Sequence, residues 1–188
     1  MAQKILYVNA CFREGSRTAQ LVRILKDRLF PGEAEVTEIC LGDMGLKAMD
    51  REALVIYNES VAAHTFTDPM FDHAKQFRDA DRIVIAAPFW NYDLPAVLHT
   101  YLELVCTQGI TFDIDETGTY GSMCKADKLT FVTTAGGFIP EHDPASTCLR
   151  TFCEVFFDIG QFVYIKAEGL DIVGADVEQI LRDAAGVQ

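Results

Sequence analysis

The stretch from residue 83 to residue 111 limits most strongly what this chain can fold into. Residues 83–87 are apolar and mostly β-branched, as expected of a short strand that is buried on both faces. An aromatic segment follows at 88–93, and a long apolar-periodic segment then starts at Pro95, a residue suited to the first turn of a helix. The pattern predicts a strand, a loop and a helix. In an open parallel sheet, such a loop lies at the edge where ligands bind.

The same alternation of short apolar strands and helices continues through the rest of the chain. We predict strands at 4–8, 35–40, 83–87, 129–134 and 162–167, and helices at 16–29, 51–62, 68–77, 95–105, 147–157 and 176–185. This order is typical of an α/β fold with a five-stranded parallel sheet, of strand order 2-1-3-4-5, covered by helices on both faces. The excursion at 112–124 is expected to form a hairpin on the ligand side. With no linker or repeat in the sequence, we expect one domain, 1–188.

Charge and composition exclude several classes of partner. A formal net charge of −12 argues against nucleic acid and against an anionic membrane surface. A hydrophobic content of 49% with 23% charged residues is typical of a soluble globular protein. No apolar run reaches the roughly 20 residues of a membrane helix, and the first residues do not form a secretion signal. A cytoplasmic protein is therefore expected.

The six cysteines are expected to be packed thiols in a reducing compartment, because the sequence contains no Cys-x-x-Cys pair and no His spacing typical of a metal site. We therefore predict no bound metal. Cys11 is the thiol to consider separately, since it follows the first strand and has Arg13 nearby. An exposed thiol beside a cation is acidic, but packing is the favoured interpretation.

Three unusual loops, 9–18, 88–93 and 133–138, follow the first, third and fourth predicted strands. These strands are neighbours in a sheet of order 2-1-3-4-5, so the three loops should meet at one edge. The first loop leads into a helix N-terminus, whose free N–H groups and positive dipole end suit a phosphate. Its candidate phosphate ligands are Arg13, Ser16, Arg17 and Thr18. The loop matches neither a Walker A motif nor a Gly-x-Gly-x-x-Gly fingerprint, so a monophosphate is favoured; alone, it would be interpreted as an ordinary helix cap.

The other two loops suit a flat, hydrogen-bonding ligand. In the aromatic loop, the candidate ligand-binding residues are Pro88, Phe89, Trp90, Asn91 and Tyr92. The backbone groups of Phe89 to Tyr92 can hold a planar heterocycle while one ring covers its face. In the glycine-containing loop they are Thr134, Ala135, Gly136 and Gly137, which offer hydroxyls and a close backbone approach. Core packing and a plain strand-to-helix turn are the structural alternatives.

With these motifs in view, the sequence resembles the flavodoxin-like NAD(P)H oxidoreductases that bind FMN, the group of FMN-dependent NADH-azoreductases and NAD(P)H quinone reductases. The resemblance lies in APFWNYDLPA at 87–96, Leu98, Tyr101, Gly109, Thr111, Phe112, Gly118, Gly121, TAGG at 134–137 and AEGL at 167–170. At two places the sequence departs from the pattern of this family, and both departures weaken the case for azo dyes as the substrate. Arg13 and Arg17 stand where azoreductases are often richer in serine, and His99 stands where Lys is common.

The resemblance implies a flavodoxin-like three-layer sandwich with non-covalent FMN, NAD(P)H as electron donor, and a homodimer with its active site near the interface. It places the phosphate at Ser16, Arg17 and Thr18 and the flavin ring against 88–92 and 134–137. It implies the reduction of quinones or azo and related aromatic compounds by two-step hydride transfer through flavin N5. No catalytic acid–base pair is then required, and none is predicted. Phe66, Tyr120, Phe138 and Phe162 are candidates for an acceptor pocket.

Two other functions stay open at this point. A flavodoxin-type electron carrier would also bind FMN, and its acidic character would match the net charge of −12. A receiver-like signalling module would need an acidic cluster after the first strand and an acceptor Asp after the third. Those places hold Asn9-Ala10 and Pro88-Phe89 here, which makes the signalling module the weaker alternative.

Overall fold

The computed structural model describes residues 2–187 and contains a five-stranded parallel sheet beside a small antiparallel hairpin. The strands are β1 Lys4–Asn9, β2 Glu35–Cys40, β3 Arg82–Ala86, β4 Phe112–Ile114, β5 Tyr120–Ser122, β6 Lys128–Thr134 and β7 Gln161–Ala167. The sheet order is β2-β1-β3-β6-β7, and β4 pairs with β5 in the hairpin. The predicted α/β class and the predicted strand order are confirmed, with the hairpin inserted between the third and fourth strands of the sheet.

Helices cover both faces of the sheet. They are α1 Arg17–Ile24, α2 Lys26–Leu29, α3 Arg51–Ala63, α4 Asp72–Asp79, α5 Ala96–Val105, α6 Pro144–Thr151 and α7 Val177–Ala185. A short 3-10 turn, Pro69–Phe71, precedes α4, and a π-helical turn, Phe152–Phe156, follows α6. Within residues 2–187, no helix is long and apolar enough to cross a membrane.

Two apolar cores follow from the two-residue period of the strands. Leu6 and Val8 of β1 point into a core shared with α4, α5 and α6, whereas Ile5 and Tyr7 point into a core shared with α1 and α7. The central strands are therefore buried on both sides, as their continuous apolar sequences predict. The carboxyl ends of β1, β3 and β6 meet at one edge, where the candidate site lies.

Two helix boundaries differ from the prediction. The segment predicted as one helix, 16–29, is interrupted at Leu25 and gives α1 and α2. The helix predicted from 147 begins earlier, at Pro144, because the Asp143 carboxylate accepts the N–H of Ser146 (2.6 Å) and caps the first turn. Local capping, rather than apolar periodicity, sets this second boundary.

Helix α3 is the least packed helix of the fold. None of its residues, all of which are described, is buried, and the consecutive side chains Leu54, Val55 and Ile56 are exposed. Asp50 caps its N-terminus, and the hydroxyl of Tyr57 accepts the N–H of Gln108 (3.3 Å). An isolated helix of this length is only marginally stable in water, so α3 depends on contacts beyond its own hydrogen bonds.

We expect Asp79, at the end of α4, to make stability depend on acid pH. The hydrogen bond from Arg78 (2.8 Å), helped by Lys125 (2.8 Å), lowers the pKa of the Asp79 carboxyl to about 2. A lowered pKa gives stability that is present above the unfolded value of about 3.9 and is lost as the pH falls toward about 2. Because the side chain is 39% exposed, solvent screening limits the contribution to about 1 kcal/mol or less.

Urea unfolding of Asp79→Asn and the unmodified protein at about pH 6 and about pH 2.5 measures this contribution. The difference between the two proteins should shrink at the lower pH. A difference of the same size at both pH values would contradict the assignment.

Candidate functional site

Loops from three adjacent strands line one cleft at the carboxyl edge of the sheet. The cleft measures about 680 Å³ including its open mouth. The predicted site residues that line it are Arg13, Ser16, Arg17, Thr18, Pro88, Phe89, Trp90, Thr134, Ala135 and Gly136. Asn91, Tyr92 and Gly137 belong to the same loops but lie outside the lining. The structure thus brings together loops that are far apart in the sequence.

One end of the cleft is the N-terminus of α1. Ser16 is the N-cap, and its Oγ accepts the N–H of Ala19 (3.3 Å). The N–H groups of Arg17 and Thr18 have no acceptor within the described part of the chain, as expected for the first turn of a helix. The Thr18 hydroxyl lies 2.7 Å from the Thr134 hydroxyl and links this loop to the end of β6. Free N–H groups, hydroxyls and arginines at a helix N-terminus form a suitable anion site.

Cys11 forms part of the wall of the cleft as a neutral thiol. Its N–H donates to Asn9 Oδ1 (2.8 Å), and its side chain is buried beside the hydroxyls of Ser16 and Thr18. Burial raises the pKa of the Cys11 thiol to about 12, which outweighs the lowering effect of the two hydroxyls. The thiol is therefore protonated at neutral pH, and the structure supports the packing interpretation over a reactive cysteine.

The aromatic loop is a tight turn with left-handed backbone. Trp90 and Asp93 exchange backbone hydrogen bonds of 3.0 and 2.9 Å around Asn91 and Tyr92, whose φ angles are 52° and 64°. Two successive positive φ angles characterise a type I′ turn, and a bulky residue such as Tyr92 adopts them at a cost of order 1 kcal/mol. This turn directs Trp90, 37% exposed, and Tyr92, 67% exposed, outward from the sheet.

The turn also restricts which backbone groups are open to a ligand. The N–H of Phe89 donates to the Thr134 carbonyl (3.0 Å), and the N–H of Trp90 donates to Asp93, so neither is free. The N–H groups of Asn91 and Tyr92 have no acceptor among residues 2–187. The expectation that the backbone groups of Phe89 to Tyr92 are open to a ligand is therefore corrected for the N–H groups of Phe89 and Trp90. Because neither Asn91 nor Tyr92 is glycine, the sequence did not indicate that both residues adopt positive φ angles.

The glycine-containing loop is clamped to the segment after β7. Gly136 and Gly137 accept the N–H groups of Asp171 and Gly169, both at 2.8 Å. A Cβ on Gly136 would overlap the Asp171 carboxylate, so a larger residue there would displace that side chain. The N–H groups of Gly136 and Gly137 have no acceptor within the chain described, which leaves the backbone edge of this loop available to a ligand.

Four lining residues were not among the predicted site residues: Ala10, Cys11, Leu170 and Asp171. Ala10 and Cys11 directly follow β1, and Leu170 and Asp171 follow β7. The other loops were selected because ligands bind at the carboxyl ends of parallel strands. The same argument applies to the loop after β7. The sequence signal there was only the resemblance of 167–170, and Asp171 is the next residue.

The candidate acceptor-pocket aromatics mostly pack elsewhere. Phe66 packs against Phe71 (5.2 Å between ring centroids), Tyr120 against Phe156 (5.2 Å), and Phe162 lies under the Arg150 guanidinium (4.6 Å). Phe138, which directly follows the glycine-containing loop, is 69% exposed. Phe138 is the most exposed of the four, followed by Tyr120 at 46%, and the assignment of these aromatics to an acceptor pocket stays a prediction.

Comparison with known proteins identifies the family. A family profile described as flavodoxin-like fold matches residues 3–186. The chain belongs to this family. It is also 31% identical to the FMN-dependent NADH:quinone oxidoreductase of Coprothermobacter proteolyticus, over 96% of this chain and 94% of that relative. The predicted membership in the flavodoxin-like group of FMN-dependent oxidoreductases is thus confirmed.

Two further matches are informative. FMN-dependent NADH:quinone oxidoreductase 2 of Clostridium acetobutylicum is 42% identical over 116 residues, which span 59% of this chain and 57% of that relative. Among solved structures, the FMN-dependent NADH-azoreductase of Bacillus anthracis in complex with FMN superposes with a TM-score of 0.80. It is 19% identical and covers 98% of this chain and 94% of its own. At this identity, the superposition establishes the shared fold.

Proposed function

We propose that this flavodoxin-like protein is an FMN-dependent NAD(P)H oxidoreductase that reduces quinones or azo and related aromatic compounds. The observation that carries the proposal is the cleft itself. It has a helix N-terminus with free N–H groups at one end, and aromatic side chains and a glycine backbone at the other. These groups match a phosphate and a flat heterocycle joined in one molecule. The names of the relatives, FMN-dependent NADH:quinone oxidoreductases, agree with this chemistry.

The residues of the cleft divide into two groups by their chemistry. The N–H groups of Arg17 and Thr18, with the hydroxyls of Ser16 and Thr18, would hold the phosphate, and Arg13 adds positive charge. Pro88, Phe89 and Trp90 would contact the ring from one loop and Thr134–Gly137 from the other. When bound, FMN would supply the redox chemistry, because its N5 atom can take a hydride from NAD(P)H and pass it to the acceptor. The N–H groups of Gly136 and Gly137 offer preorganised donors for negative charge on the ring.

The donor and the acceptor are expected to use the open mouth of the cleft in turn. This is the two-step part of the proposal, and it requires no acid–base pair from the protein. The purified protein should be yellow or take up FMN, and NADH or NADPH should bleach its visible absorbance without oxygen. Steady-state rates with a quinone should give parallel double-reciprocal lines.

Other outcomes of this experiment point to other functions. A protein that takes up no FMN would contradict the whole proposal and favour a module without a cofactor. A protein that binds FMN but is not reduced by either nicotinamide would favour an electron carrier. Intersecting lines would instead indicate a ternary complex of enzyme, donor and acceptor.

A homodimer with the site near its interface is part of the same proposal. The support is α3, which carries the exposed apolar side chains Leu54, Val55 and Ile56 and has no buried residue of its own. Ile56 also lines the adjoining groove, which runs toward α4 and contains Met44, Leu46 and Met49 together with the charged residues Lys47, Asp50, Glu52 and Asp68. A surface of this kind is typical of protein–protein contact. A second copy is the proposed occupant, in agreement with the dimer implied by the sequence resemblance.

We also propose a cytoplasmic location. All six cysteines, each within the described chain, are free thiols. Free thiols are typical of proteins in reducing compartments, where disulfides are rare. Fluorescence of a tagged protein in the source cells, compared with a cytoplasmic marker, tests the location.

A further inference from the structure

An ion pair crosses the cleft at the position proposed for the phosphate. Arg17, the first residue of α1, places Nη1 2.5 Å from Oδ1 of Asp171, in the loop after β7. The side chain of Arg17 is 30% exposed and that of Asp171 is 72% exposed. The strongest cationic candidate for a phosphate contact is therefore already paired with a carboxylate of the protein.

The position of Asp171 is fixed by the backbone rather than by the ion pair alone. Its N–H donates to the Gly136 carbonyl (2.8 Å), and the preceding N–H, of Leu170, donates to the Ala135 carbonyl (3.2 Å). The carboxylate lies over Gly136, in space that a Cβ at that residue would occupy. Rearrangement of the Arg17 side chain would therefore leave the Asp171 backbone, and with it the negative charge, beside the cleft.

The charged side chains of the cleft both attract and repel a phosphate. Among the lining residues that the structure describes, Arg13 and Arg17 are cationic and Asp171 is the single carboxylate. A flavin phosphate carries between one and two negative charges at neutral pH, as other phosphate monoesters do. It would lie in the same cleft as Asp171 and would compete with it for the Arg17 guanidinium.

We propose that Asp171 lowers the affinity of the cleft for FMN by holding Arg17 and by opposing the phosphate charge. The inference rests on the proposed function, because it takes FMN as the occupant. Asp171 is then a residue that determines specificity: it reduces the advantage of FMN over riboflavin, which has no phosphate. The cofactor would exchange more readily than in a cleft without this carboxylate.

Asp171→Asn tests the proposal, because it removes the charge and leaves the backbone hydrogen bond to Gly136 in place. FMN and riboflavin are titrated into the flavin-free protein, and the Kd of each is read from quenching of flavin fluorescence. We expect the FMN Kd to fall about tenfold and the riboflavin Kd to change by less than about twofold. The gain for FMN should shrink at high salt, since it is electrostatic.

Glu14→Gln is the matched control. It removes one negative charge from an exposed residue of the loop after β1 that does not line the cleft, and it should leave both Kd values nearly unchanged. Asp171→Ser is the second uncharged variant and should behave as Asp171→Asn does. Circular dichroism melts of each variant show whether the fold is kept.

Two results would overturn the inference while leaving the proposed function intact. One is an FMN Kd that is unchanged or higher in both Asp171 variants, which would make the ion pair a structural link between the loops. The other is an equal gain in affinity for FMN and riboflavin, which would show that Asp171 does not act through the phosphate. An unmodified protein that binds neither flavin would overturn the proposed function together with this inference.

Discussion

Ser16→Asp is expected to weaken FMN binding about 100-fold while leaving the fold intact. Ser16 is the N-cap of α1 and lines the cleft, and its side chain is almost fully buried. Asp is as good an N-cap as Ser, so the helix keeps its first-turn hydrogen bond. The new carboxylate, however, lies where the phosphate is proposed to bind. Two unit charges 4 Å apart repel by about 4 kcal/mol at an effective dielectric of 20, before screening by salt.

Ser16→Asn is the control for this substitution, because Asn caps helices equally well and carries no charge. It should change FMN binding much less than Ser16→Asp does. Riboflavin, which lacks the phosphate, should bind both variants alike. Fluorescence titration of flavin-free protein gives all four Kd values, and thermal melts verify the fold. Equal FMN affinity in the Asp and Asn variants would refute the assignment of the phosphate to the N-terminus of α1.

The second large effect is expected at α3. Replacing Leu54 and Val55, 46% and 51% exposed, by Glu should dissociate the proposed homodimer. Glu favours helix, so α3 keeps its propensity, but two charges would be buried between the subunits. Because burial of an unpaired charge costs several kcal/mol, the dimer Kd should rise by about 100-fold or more. Analytical ultracentrifugation over a range of concentrations measures it.

Val155→Glu is the control for α3, because Val155 is exposed to a similar extent, 54%, but lies in the π-helical turn after α6. It should leave the dimer unchanged. An unmodified protein that sediments as a monomer would rule out the homodimer. If Val155→Glu dissociates the dimer and the α3 variant does not, the interface lies at the turn after α6 and not at α3. If the site lies near the interface, the α3 variant should also bind FMN more weakly.

The fold was predictable because its main signals are local. The apolar runs at 4–8, 83–87 and 129–134 each specify a strand buried on both faces, and the helices between them fix parallel pairing. The convergence of the loops then follows from the strand order alone. This explains why residues as far apart as Thr18 and Thr134 could be assigned to one site, where their hydroxyls lie 2.7 Å apart.

The parts that could not be predicted depend on backbone detail. The left-handed turn at Asn91 and Tyr92 uses the N–H of Trp90, and a sequence with no glycine there does not indicate it. Asp171 enters the cleft through a backbone pairing with Gly136, a contact between segments that share no apolar pattern. The start of α6 at Pro144 depends on the Asp143 cap, which outweighs the periodicity of the residues after it.

The hydroxyl bridge between Thr18 and Thr134 makes some positions around the cleft less free to change than others. It joins the first turn of α1 to the end of β6, so a substitution at either threonine disturbs the scaffold as well as the ligand site. The neighbouring loop residues Tyr92 and Phe138 are different: they are 67% and 69% exposed, so their rings can be exchanged with little loss of core stability. Under the proposed function, gene duplicates of this protein could therefore diverge at these exposed rings while keeping the same cofactor site.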